Sequence, residues 1–171
     1  MGNITTDIHS SDPIQKVFQI GEKVVHIPEG VCTITEITQM DTFGTEKDYY
    51  KLVPVMDNTQ AIYVGINSPA KYVRHLRSKE EIQMIMKVQK ESKKLWEKNE
   101  EKRNSQMKTA IQNDDGIALA KLIKTYYQKS KLDPQNPHDS NQLKKAEQFL
   151  YSEIAEVLHK DYNKLRSKIL E

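Results

Sequence analysis

Cysteine is nearly absent from this 171-residue chain: Cys32 is the only one. An internal disulfide and a multi-cysteine zinc site are both excluded, and the expectation is a protein of a reducing compartment. Long hydrophobic runs are missing too. Nothing approaches 18 consecutive apolar residues, so no transmembrane helix is expected. The opening stretch, MGNITTDIHSSDP, has no basic region followed by an apolar one, and so does not read as a secretory signal. Catalytic signatures are lacking as well. There is no HExxH, no P-loop, no GxSxG, no Cys/His pair and no group of carboxylates in an apolar setting. The histidines His75, His138 and His159 are scattered among charged or loop residues. The expectation is a non-enzyme that uses no cofactor and no metal.

Apolar residues make up 37% of the chain and charged residues 29%. That is sparse for one compact core and rich for a disordered chain, so two modest cores fit better. Charge divides the chain in the same way. Residues 1–73 carry a net −4 and residues 74–171 a net +6. An acidic front and a basic back suggest different partners, with polyanions drawn to the back. The plainer alternative is that the lysines only solubilise exposed helices.

Residues 1–16 are polar and are expected to form a flexible lead-in. From Val17 the pattern becomes that of short strands: Val17–Ile20, Val24–Val25, the alternating Val31–Thr38, then Asp48–Val55 and Gln60–Val64. Turns are expected at Gly21-Glu22, Pro28–Gly30, Thr42–Thr45 and Asp57–Thr59. Five strands at this spacing predict a small antiparallel barrel over residues 17–68. His26 reads as a partly exposed strand residue and Cys32 as a small buried hydrophobe.

Residues 78–171 read as an all-helical bundle. Ser78-Lys79-Glu80-Glu81 has the form of a capping box and starts a helix that runs to about Lys94. Met107, Ala110 and Ile111 mark a second helix. Asn113–Gly116 breaks the chain and caps a third, strongly apolar one through Tyr127. Lys131–Asp139, with Pro134 and Pro137, is expected as a loop. Leu143, Ala146, Phe149, Leu150, Ile154 and Leu158 predict a long helix at the centre of the bundle, and Asp161 caps a last one. The fold class is therefore α+β, a small N-terminal barrel followed by helices. The one tryptophan, Trp96, sits in the charged stretch 87–103. It either covers a helix–helix seam among lysine stems or serves as a functional aromatic beside basic residues.

In order along the chain, several segments resemble the CarD family of bacterial transcription regulators. At the front these are Phe18–His26, Pro28–Val31, Gly44 with Tyr49–Leu52, and Ile62–Val64. At the back they are Asp114-Asp115, Leu122–Tyr127 and Ala146–Ile154. The resemblance implies a Tudor-like barrel that docks on the lobe of the RNA polymerase β subunit, partly by adding a sheet edge to a strand there. By position Met40, Ile62 and Tyr63 fall at the docking face, where relatives carry arginines. It also implies that the helical domain contacts promoter DNA with weak sequence specificity. A family tryptophan enters the minor groove there and basic neighbours hold phosphates. An ungapped match puts Glu100 at the tryptophan place, with Trp96 one helical turn earlier. Trp96, Lys102, Arg103, Lys144 and Lys145 are the candidate DNA contacts. The implied protein is a cytoplasmic, nucleoid-associated monomer that modulates open-complex stability. The alternative is a protein-interaction module of the same fold without direct DNA contact.

Overall fold

The computed structural model of the chain describes residues 18–67, 71–93, 96–133 and 136–171. The expected lead-in over residues 1–16, Val17, Pro69, Lys94 and Pro134 lie outside the described residues.

Five strands, β1 (Lys23–His26), β2 (Gly30–Thr42), β3 (Thr45–Pro54), β4 (Ile62–Gly65) and β5 (Val73–His75), form one antiparallel sheet in the order β4-β3-β2-β1-β5. Five helices follow: α1 (Lys79–Glu91), α2 (Glu100–Gln112), α3 (Gly116–Leu132), α4 (Pro137–Val157) and α5 (Tyr162–Leu170). The α+β class stands. Two strand expectations change. The described part of Val17–Ile20 is not strand, and Val73–His75 supplies the fifth strand instead, paired with β1. β2 and β3 also run further than expected, up to a two-residue loop, Phe43-Gly44. The expected loop Lys131–Asp139 is shorter at both ends. α3 continues to Leu132, and α4 starts at Pro137, whose missing N–H costs nothing in a first helical turn.

One row of the sheet decides how strands and helices meet. On β1, Val24 and Val25 are both fully buried, on opposite faces. Val24 pairs with Cys32 and joins the sheet core, with Phe18, Ile34, Tyr50, Leu52, Val64, Ile66 and Val73. Val25 pairs with Val31 and joins the helical core, which holds Ile82, Met107, Leu119, Ile123, Leu150 and Ile154. There are thus two cores, and the second takes two residues from the sheet. Gly30 makes this possible. A β-carbon there would lie 3.3 Å from Phe149 Cα on α4, and the residue has φ +89°, a conformation that suits glycine.

The helix starts follow local chemistry. Ser78 Oγ accepts from Glu81 N at 3.2 Å and Glu81 Oε2 accepts from Ser78 N at 2.7 Å, the expected capping box. Asn99, Asp115, Asn136 and Asp161 cap the other four helices. Cys32 is fully buried as expected, and burial pushes its thiol pKa up to about 12. His26 corrects the sequence reading: at 9% exposure it is buried, not partly exposed. Burial holds its pKa below the ordinary histidine value, against a weaker pull upward from Glu29.

Candidate functional site

The sheet brings two of the three expected docking residues together. Residues opposite each other in an antiparallel pair share a face. Met40 pairs with Lys47, Thr38 with Tyr49, and Tyr63 with Lys51. Because Lys47, Tyr49 and Lys51 alternate along β3, Met40 and Tyr63 stand on one face of the β2-β3-β4 ribbon. Met40 is half-buried and Tyr63 is 45% exposed. Ile62 points the other way. It pairs with Leu52, which is fully buried, and packs against the sheet core. It therefore lies off this face, on the core side of β4. β4 is an edge strand, so Tyr63 lies beside backbone groups without a strand partner among the described residues.

The expected DNA contacts divide into an inward pair and an outward set. Arg103 is only 6% exposed. Its guanidinium donates to Asp139 Oδ2 at 2.9 Å and to the carbonyls of Glu97 at 3.1 Å and Lys98 at 2.9 Å. All of its donor directions serve the protein, so a phosphate would have to displace Asp139. Trp96 is half-buried beside it. Arg103 Cζ lies 4.5 Å from the indole centroid, Lys129 Nζ 5.7 Å, and the Tyr126 ring 5.3 Å edge-on. Lys102, Lys144 and Lys145 are exposed on α2 and α4. Lys145 lines a cleft of about 900 Å³ between sheet and helices, together with Lys108 and His138; Glu29 and Asp57 face them from the sheet side. Lys108 is a basic residue of this surface that the sequence reading did not single out. It lies about 120° around α2 from Lys102, so helical spacing gave no signal for it.

Sequence reasoning also gave no role to the group that locks sheet to helices. Arg74 on β5 and Arg77 before α1 converge on Glu153 of α4 and on Asp114 in the α2–α3 turn. Glu153 is 0% exposed. It accepts from Arg74 Nη1 at 2.6 Å and Nη2 at 3.0 Å, from Arg77 Nη1 at 2.6 Å and from the Arg77 backbone N–H at 2.7 Å. Asp114 accepts from Arg74 Nε and Nη2 and from Arg77 Nη2, the latter at 2.9 Å. Burial alone would lower the Arg74 pKa, but bonds to Glu153 and Asp114 outweigh it and hold the guanidinium above its ordinary value. A second tie, Lys23 Nζ to Glu156 Oε1 at 2.7 Å, joins β1 to α4 near the surface. A signal for the lock was present: Glu153 interrupts the apolar stripe of α4 beside Leu150 and Ile154.

Among the described residues no group of three or more His, Cys, Asp or Glu side chains is placed to hold a metal ion, and no helix is long and apolar enough to cross a membrane. No match is found among curated proteins. The helices beyond residue 77 fall outside the family match. That match covers the sheet and its link to α1, and its family is a set of domains that interact with the RNA polymerase β subunit, interaction modules rather than enzymes. Residues 18–77 match the model of the CarD-like/TRCF RID domain.

Proposed function

We propose that the chain is a transcription regulator that holds the RNA polymerase β subunit with its sheet and promoter DNA with its helices, and so changes the lifetime of the open complex. The observation that carries this reading is the family match over residues 18–77, in register with an exposed edge strand bearing Tyr63. The sheet acts as a Tudor-like barrel, residues 17–68 with the strand at 73–75. Val64 of β4 and Val73 of β5 meet in one core, which supports that curvature. Docking on the β lobe proceeds by strand addition at the β4 edge, with Tyr63 and Met40 on the contact face.

The helical domain, residues 78–171, supplies the second hand. Lys102, Lys144 and Lys145, joined by Lys108, attract phosphates without reading sequence. Trp96 and Arg103 brace the surface from within: the indole is held between a guanidinium and a tyrosine, which favours a seam role over insertion into DNA. The protein acts in the bacterial cytoplasm, at the nucleoid, as a monomer. The rival reading keeps the polymerase contact and gives the lysines only to solvent.

Binding of the full chain to a forked promoter fragment separates the two. Affinity should fall with rising salt by about 0.9 log unit per log salt for each phosphate neutralised. Lys102→Glu, Lys144→Glu and Lys145→Glu together should flatten that slope. No binding refutes the DNA contact, and a slope that the three changes leave intact refutes these lysines as its phosphate contacts.

A further inference from the structure

β2 and β3 outrun their neighbours in the sheet. Pairing with β1 stops at Lys23 and Thr33, and pairing with β4 stops at Tyr49 and Gly65. The hairpin continues through four more rows, Gln39 with Asp48, Met40 with Lys47, Asp41 with Glu46 and Thr42 with Thr45; Ile66 N–H still reaches the Asp48 carbonyl, and the last three rows make about 10 Å of arm beyond that support at ~3.4 Å per residue. Its tip is the loop Phe43-Gly44, with φ 54° and 78°. Two positive φ values in a two-residue loop define a type I′ turn, whose first position favours Asn, Asp or Gly. Phenylalanine is a poor choice there, because its β-carbon crowds the backbone in the left-handed region. The ring gains nothing by packing either: Phe43 is 103% exposed.

A second departure lies one row behind the tip. Asp41 and Glu46 stand directly opposite each other, and Asp48, two residues along β3 from Glu46, shares their face. Like charges in opposed positions weaken a sheet. Among the described residues none of the three carboxylates has an ion-pair partner, although Asp41 Oδ1 accepts from Gly44 N at 2.7 Å. A strained exposed aromatic and an uncompensated acidic face, within a few residues, mark a place where local stability has been given up for contact.

We infer that this hairpin tip is the specificity element of polymerase docking, an inference that rests on the reading above. The Phe43 ring enters an apolar pocket on the β subunit, and Asp41, Glu46 and Asp48, on the hairpin face opposite Met40 and Tyr63, meet basic residues on the far rim of that pocket. The partner surface is protein and not DNA, because the carboxylates repel phosphates. Aromatic anchors in desolvated pockets dominate such interfaces, while charges at the rim set encounter rate and salt dependence.

The full chain is titrated against purified RNA polymerase β subunit by calorimetry and surface plasmon resonance, with melting temperatures recorded in parallel. Phe43→Asn suits the turn, so its melting temperature should hold or rise while affinity falls about tenfold or more. Asp41→Asn with Glu46→Gln should likewise keep the fold, slow association and flatten its salt dependence. Wild-type affinity in Phe43→Asn overturns the inference and leaves the polymerase reading standing. Absence of β binding by the wild-type chain overturns both.

Discussion

Substituting Glu153 by Gln tests whether sheet and helices are one mechanical unit. Glu153 is completely buried and accepts four hydrogen bonds, three from the Arg74 and Arg77 guanidiniums and one from the Arg77 backbone. The two arginines carry two positive charges, balanced by Glu153 and Asp114. Gln preserves shape and removes one negative charge, so one guanidinium is left without a counter-charge. Removing one partner of a buried ion pair costs about 3–5 kcal/mol. The Arg74 side chain keeps 25% of its exposure and the Arg77 side chain 12%, so water can reach part of the uncompensated charge. That places the expected loss near the lower bound, about 3 kcal/mol. For a chain of this size each kcal/mol shifts the melting temperature by about 2–4 °C, so a fall of about 6–12 °C is expected. Denaturant unfolding followed by circular dichroism gives the free energy. Combining Glu153→Gln with Arg74→Met should cost clearly less than the two single losses added, since they share one interaction. A loss under about 1 kcal/mol, or strict additivity, would refute the group as a lock between sheet and helices.

Other expectations follow from the same contacts. Gly30→Ala puts a β-carbon 3.3 Å from the α4 backbone at a positive φ and should cost about 2–3 kcal/mol in denaturant unfolding. Trp96→Ala should lose about 2 kcal/mol, less than the ~3–5 of a fully buried aromatic, with little change in DNA affinity; unchanged stability with lost DNA binding would restore the wedge. His26 titrates lower in the folded chain than in the unfolded one, so the unfolded state takes the proton first. Stability should therefore drop as pH falls below 6.5, and His26→Gln should make thermal melts less pH-dependent across that window.

Much of the fold was legible because it is local. The alternation Val31–Thr38, the Phe43-Gly44 turn and the Ser78 capping box all appear where short-range patterns put them. What stayed hidden depends on distant partners. β5 is three residues with one buried side chain, and only its pairing with β1 makes it a strand. Arg103 looks like part of a solvated charge run until Asp139, 36 residues later, closes over it. Glu153 is legible as an acid in an apolar stripe, but its two arginines lie 76 and 79 residues away. The site surfaces split the same way. Strand alternation separates Tyr63 from Ile62, whereas the inward turn of Arg103 required the packed helices.

The most direct measurement of the bridge is the lifetime of open promoter complexes after a heparin challenge, with saturating wild-type chain and with the Lys102→Glu/Lys144→Glu/Lys145→Glu variant. A two-handed regulator predicts that the wild-type chain changes the lifetime and that the variant, though still bound to the β subunit, does not. A full effect from the variant would contradict the account.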